Sequence, residues 1–70
     1  MNITRNDLYR VLRSINRASG RNFKLEYSFE YGWLLIEEIP GIKRRICGVG
    51  MHLTRREMYI YMCGIMAYLN

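Results

Sequence analysis

The first twenty residues carry apolar side chains at helical spacing. Apolar residues recur there every three or four positions, which predicts a helix over 3–20 with one apolar stripe made of Leu8, Val11, Leu12, Ile15 and Ala18. Thr4 and Asp7 have the spacing of a capping box, with Asp in place of the usual Glu or Gln. Gly20 is suited to a left-handed C-cap, so the helix is expected to end there.

The spacing changes from helical to alternating at residue 22. Over 22–31, polar and apolar side chains alternate without a miss, which predicts a half-buried strand whose aromatic rings face the core. Gly32 is expected to supply a turn. Residues 33–39 would then form a second strand, paired with the first as a hairpin.

A third strand is predicted from a turn and from charge. The pair Pro40 and Gly41 suits a type II turn. A two-residue loop there would set the two glutamates of the second strand opposite basic residues, in the pairs Glu38–Lys43 and Glu37–Arg44. Opposite charges across a strand pair stabilise it by roughly 0.2–1 kcal/mol each, which favours a third strand over 42–49.

A second capping box, made by Thr54 and Glu57, predicts a helix that runs from there nearly to residue 70. Its core face would consist of Met58, Tyr61, Met62, Ile65, Tyr68 and Leu69. The predicted fold class is therefore α+β. We expect a single two-layer α-β-β-β-α domain over 1–70, in which two helices pack on one face of a three-stranded antiparallel sheet.

The second helix is apolar on its other face as well, through Ile60, Cys63, Gly64 and Ala67. A helix that is apolar all round is normally buried all round, and small residues permit a second helix to approach closely. We therefore predict a homodimer whose interface is this face. The alternative is that the helix lies between the first helix and the sheet, which would also bury two sides.

The chain is basic, with a net charge of +5, and nine of its eleven basic residues are arginine. Because the guanidinium fork suits carboxylate and phosphate, an acidic partner is expected. A basic surface that only keeps the protein soluble is the alternative. The predicted partner-binding residues lie in a row on the first helix and at the start of the second, where helix amides attract anions: Arg10, Arg13, Arg17, Arg55 and Arg56.

No catalytic residue, metal site or cofactor is predicted. His52 is the sole histidine, and Cys47 and Cys63 lack the ligand spacing of a zinc site. Glu37 and Glu38 are neighbours on a strand and point to opposite faces, so they cannot act together as acid and base. The polar start and the absence of an apolar stretch of about 20 residues predict a cytoplasmic protein that does not bind a membrane.

Two resemblances add expectations. The α-β-β-β-α order, with Gly48 and Gly50 before Thr54-Arg55-Arg56, resembles the double-stranded RNA-binding domain, and this likeness implies phosphate contacts at the second helix. The Leu-Thr-x-Arg-Glu-x-Tyr pattern that begins at Leu53 is similar to small uncharacterised bacteriophage and prophage accessory proteins. That likeness implies a protein that binds a host protein in the bacterial cytoplasm.

These observations together predict a non-enzymatic binding module. The expected partner is an acidic host protein, which a phage-type accessory protein would bind and modulate. The alternative is a nucleic acid or a nucleotide, bound through the arginines of the first helix and of the start of the second.

Overall fold

The computed structural model describes residues 2–41, 44–46 and 52–69, and the side chains of 44–46 are outside that description. The elements follow in the order α1 (Arg5–Ser19), β1 (Phe23–Ser28), β2 (Gly32–Glu38), β3 (Arg44–Ile46) and α2 (Arg55–Leu69). The chain is an α+β protein, and both helices lie within a residue or two of their predicted bounds.

Helix α1 is held at both ends by the predicted caps. The Thr4 hydroxyl accepts a hydrogen bond from the Asp7 N–H at 3.2 Å, and the Asp7 carboxylate accepts one from the Thr4 N–H at 2.9 Å. Gly20 adopts the left-handed conformation, with φ 70°. The apolar stripe is buried through Leu8, Leu12 and Ile15, whereas Ala18 is exposed.

Strands β1 and β2 form an antiparallel hairpin, with Tyr27 opposite Trp33 and Ser28 opposite Gly32. The predicted first strand is too long at its end, because the chain already turns at 29–31. Gly32, at φ 103°, closes this three-residue loop from the far side. The alternation of polar and apolar residues continues in the sequence beyond Ser28, where the strand ends. Phe29 and Tyr31, which the alternation predicts for the core, are therefore in the loop and exposed.

The predicted three-stranded sheet is wrong. The extended part of the sheet is the two-stranded hairpin, and β3 adds only three residues along the free edge of β2, whereas 42–49 was expected to pair. Residues 42, 43 and 47–49 of that prediction lie outside the described residues. The pairing also differs by one residue, since the Cα partners are Glu38–Arg44 and Glu37–Arg45. Because 43–45 are all basic, opposite charges would meet in either register.

The core lies between the two helices and the face of the hairpin that carries Phe23, Trp33 and Leu35. Residues 33–37 of β2 are all buried, so this strand is covered on both faces. From α2 the core receives Met58 and Met62, as predicted. Tyr68 and Leu69 are also predicted for the core, but they are 91% and 37% exposed because the last turn of α2 extends beyond the core. In the described part of the chain, neither helix is long and apolar enough to cross a membrane.

Candidate functional site

Both helices begin beside the same strand end. Trp33, near the start of β2, exchanges two backbone hydrogen bonds with Leu53, at 2.7 and 2.8 Å, and Leu53 immediately precedes the N-cap of α2. The carbonyl oxygen of Leu53 lies so close to Gly32 that it would be 2.6 Å from a Cβ at that position. The absence of a side chain at Gly32 thus allows α2 to start directly against the hairpin.

A cavity of about 380 Å³ opens where these segments meet, and we call it the aromatic–arginine pocket. Its size is typical of sites that bind small molecules. The segments that line it come from both helix starts and from the hairpin: Arg5, Tyr27, Gly32, Trp33, Thr54 and Arg55. The pocket therefore combines residues separated by as much as 50 positions in sequence.

Trp33 forms the buried floor of the pocket and is itself only 4% exposed. The ring of Tyr9 meets its indole edge to face, with centroids 6.2 Å apart, and the Arg5 guanidinium lies 5.7 Å from its centroid. Tyr27 leans on the indole at 5.0 Å and keeps 55% of its surface exposed. Tyr27, rather than the enclosed Trp33, thus offers a ring to a ligand.

Arg5 and Arg55 occupy equivalent positions, since each directly follows the threonine that caps its helix. Hydrogen bonds from Thr4 lower the pKa of Asp7, and hydrogen bonds from Thr54 lower the pKa of Glu57. Both capping carboxylates are therefore ionised at neutral pH, and each accepts a hydrogen bond from its N-cap threonine. Among the described residues, the ion pairs do not involve Arg5 or Arg55, and the Arg5 guanidinium instead lies over the Trp33 ring.

Further rings lie at the hairpin tip, beside the pocket. Phe29 is 92% exposed and Tyr31 is 67% exposed. The Tyr31 ring contacts the imidazole of His52, with ring centroids 5.6 Å apart. The backbone N–H of Tyr31 donates a hydrogen bond to the Ser28 hydroxyl at 3.3 Å. His52 is an exposed residue of the segment before α2. This end of the molecule thus carries several aromatic side chains in contact with water.

The structure separates the five predicted partner-binding arginines. Arg55 lines the pocket, while Arg56 is exposed and is not part of its lining. Arg13 and Arg17 are exposed on α1, away from the pocket lining. Arg10 is 3.6 Å from the Asp7 carboxylate and forms an exposed ion pair with it. The predicted row on α1 therefore forms a surface distinct from the pocket.

Sequence reasoning missed Arg5 and Tyr27. One signal was present for the arginine, because both helices begin with Thr-Arg, followed two residues later by an acidic residue. Tyr27 was assigned to the core, since its alternation with polar neighbours gives no sign that the hairpin extends past the helices at that point. The glycine pair at 48 and 50, and Cys47, lie outside the described residues.

The predicted dimer face lies at the surface of the single chain. Ile60, Gly64 and Ala67 are exposed, and Cys63 is half-buried. Within the described chain, no heavy atom beyond the helix's own backbone lies within 4 Å of where a Cβ at Gly64 would be. The face is therefore open to a second helix, and the homodimer stays a prediction.

A second depression, of about 390 Å³, lies at the opposite end of the hairpin and includes Glu37 and Glu38. Among the described side chains, two cations pair with these carboxylates. Arg21 lies 3.4 Å from the buried Glu37, and Lys24 lies 2.7 Å from Glu38. Among the described residues, no three His, Cys, Asp or Glu side chains are grouped as a metal site requires.

Comparison of the chain with protein-family models, with curated proteins and with solved structures gave no match. The resemblances to the double-stranded RNA-binding domain and to phage accessory proteins therefore stay predictions.

Proposed function

We propose that this protein is a non-enzymatic binding protein whose aromatic–arginine pocket binds a nucleotide. One observation carries the proposal: two arginines from different helices and an open tyrosine ring line the same cavity. A nucleotide has the two matching parts, a planar base and an anionic phosphate. The base would stack on Tyr27, and the phosphate would lie between Arg5 and Arg55.

The energetics favour a ligand that has both parts. Stacking of a base on an aromatic side chain contributes about 1–3 kcal/mol. Hydrogen bonds to a charged group contribute about 1.5–3 kcal/mol each, and guanidinium groups can form two in parallel to a phosphate. The pocket also lies at two helix N-termini, whose dipoles favour an anion. A nucleoside would gain only the stacking, and a free phosphate would gain only the interactions with its charge.

The test is a calorimetric titration with AMP, adenosine and inorganic phosphate. AMP is expected to bind more tightly than either fragment. Arg5→Gln with Arg55→Gln should weaken AMP binding at least about tenfold, since 1.4 kcal/mol corresponds to a factor of ten. Trp33 is the sole tryptophan and forms the pocket floor, so its fluorescence gives an independent signal.

The matched control is Arg13→Gln with Arg17→Gln. It removes the same charge from exposed positions outside the pocket lining. Unchanged AMP affinity is expected for it. Equal losses in both double variants would show that net charge alone attracts the anion, and the proposal would then be wrong. Thermal unfolding of each variant checks that the fold is retained, since Arg5 lies against Trp33.

A second candidate function is binding of an acidic host protein, as in a phage-type accessory protein of the bacterial cytoplasm. Arg13 and Arg17 favour it, because both are exposed and have no ion-pair partner in the described part of the chain. For this function the α1 double variant is the test and the pocket double variant is the control. Loss of a host partner with Arg13→Gln and Arg17→Gln, but not with the pocket variant, would support this function.

A further inference from the structure

The hairpin tip exposes more aromatic surface than the fold explains. Phe29 and Tyr31 are 92% and 67% exposed, whereas large apolar side chains normally gain by leaving water. The Tyr31 ring makes a tilted contact with His52. Exposed apolar groups that lie together mark surfaces that bind another molecule.

These rings continue from the aromatic–arginine pocket. Tyr27 is the last ring of β1, and Phe29 and Tyr31 follow it within the hairpin loop. Tyr31 then turns back to His52, next to the Leu53 that pairs with Trp33 on the pocket floor. The chain therefore leads from the open ring of the pocket, around the hairpin tip, and back to the pocket.

The charge around the rings suits a polyanion. Arg5 and Arg55 lie in the pocket, Arg56 follows Arg55 in α2 and is exposed, and the whole chain carries +5. The hairpin loop over 29–31 contains one acidic residue, Glu30. Exposed rings among arginines are the features that bind single strands, since unpaired bases can stack and the backbone phosphates meet cations. A duplex hides its base faces and would leave the rings unused.

We infer that the pocket and the hairpin tip together form a track for single-stranded nucleic acid. This inference rests on the proposed function, because one nucleotide occupies the pocket. The next bases along the strand stack on Phe29 and Tyr31. An acidic protein segment would meet the same arginines but would have no need of the rings.

The test compares TMP with a fluorescein-labelled oligothymidylate of about 10 nucleotides, near the length that small single-strand-binding folds cover. The wild-type protein should bind the oligomer at least about tenfold more tightly than the mononucleotide TMP, which is measured by competition. Phe29→Ala with Tyr31→Ala should abolish most of this gain and leave AMP and TMP affinities unchanged. The same oligomer annealed to its complement should bind more weakly than the single strand.

Tyr68→Ala is the matched control. Tyr68 is 91% exposed, but it follows Arg55 by thirteen residues of helix, which places it about 20 Å away along the axis. Its removal should leave oligomer binding unchanged. Circular dichroism and thermal unfolding check the tip variant, and Phe29→Ala alone provides a variant that keeps the Tyr31 contact with His52.

The outcomes separate the inference from the proposed function. If Phe29→Ala, alone and together with Tyr31→Ala, binds the oligomer as tightly as the wild type does, the track is wrong and the nucleotide-binding proposal still stands. Equal affinity of the wild-type protein for TMP and for the oligomer would likewise overturn the track but not the nucleotide-binding proposal. Tighter binding of the duplex also overturns the track, because it shows contact with phosphates alone. Failure of the wild-type protein to bind AMP, TMP and the oligomer overturns both proposals.

Discussion

The side chain of Asn16 satisfies both backbone polar groups of Phe23. Its amide nitrogen donates to the Phe23 carbonyl at 3.0 Å, and its amide oxygen accepts from the Phe23 N–H at 2.7 Å. An amide group thus takes the place of a neighbouring strand at the first residue of β1. Because Asn16 lies in α1, this pair of bonds fixes the helix to the hairpin, and the buried ring of Phe23 is placed in the core.

Asn16→Ala should destabilise the protein by about 1–3 kcal/mol, since two partly buried backbone groups lose their partner. In a domain of this size that corresponds to a fall in Tm of roughly 4–8 °C for each kcal/mol. Urea unfolding and thermal unfolding measure both quantities. The control is Asn22→Ala, which removes an exposed amide from the same connection and should cost far less. Equal stability of the two variants would contradict the role assigned to Asn16.

Gly32→Ala should be more damaging than Gly20→Ala. Both glycines have positive φ, at 103° and 70°, so each alanine meets backbone strain of about 1–3 kcal/mol. A Cβ at Gly20 has open space, whereas one at Gly32 would be 2.6 Å from the Leu53 carbonyl oxygen. The clash adds to the loss of stability at Gly32, and urea unfolding of both variants detects the difference.

Gly32→Ala should also disturb the pocket, because the clash falls on the segment that pairs with Trp33. A shifted Trp33 emission spectrum and weaker AMP binding are expected for Gly32→Ala alone. If Gly20→Ala changed the spectrum and the affinity equally, the close approach of Gly32 and Leu53 would not be what positions the start of α2.

Substitutions at Gly64 test the predicted homodimer. Glycine inside a helix costs about 1 kcal/mol relative to alanine, and the single chain has open space at Gly64, so the isolated fold should gain stability. If two copies of α2 meet closely at Gly64, a larger side chain weakens their association. We expect analytical ultracentrifugation to show a dimer for the wild type and a shift toward monomer for Gly64→Leu.

Ala18→Leu is the control for Gly64→Leu, since it adds a similar side chain at an exposed position of α1, outside the predicted interface. It should leave the sedimentation of the protein unchanged. A wild-type monomer at micromolar concentration would show that the homodimer prediction is wrong. The apolar face of α2 would then be an exposed surface of the single chain.

The capping boxes predict a loss of stability in acid. Hydrogen bonds from Thr4 and Thr54 lower the pKa of Asp7 and of Glu57 in the folded protein. Because each folded pKa lies below the unfolded value of about 4, their contribution is complete above that pH. It is lost as the pH falls through the lowered pKa, when the carboxylates become protonated.

Glu57→Gln should therefore make unfolding less dependent on pH below about 4, because glutamine still caps the helix but does not titrate. The control is Glu30→Gln, which removes a carboxylate from the hairpin tip, where it caps no helix. Urea unfolding over a pH series compares the slopes. A wild-type slope for Glu57→Gln would contradict the assignment.

Local signals within a few residues determined the helices and their caps. Thr4 and Asp7, and likewise Thr54 and Glu57, are three positions apart, so each pair meets whatever the rest of the chain does. The hairpin was also predictable, since its strands are adjacent. The sequence could not define the pairing of β3, because three consecutive basic residues satisfy the charge pattern in more than one register.

The candidate pocket depends on the tertiary structure. Arg5 and Arg55 are separated by 50 positions, and no local pattern relates them in space. They converge because Leu53 pairs with Trp33 and because Gly32 leaves room for that approach. The same packing leaves the hairpin tip beyond the helices, so the rings of Phe29 and Tyr31 are exposed although their sequence alternation is that of a core strand. Alternation determines which residues share a face of a strand, but only the neighbouring elements decide how far along the strand that face is covered.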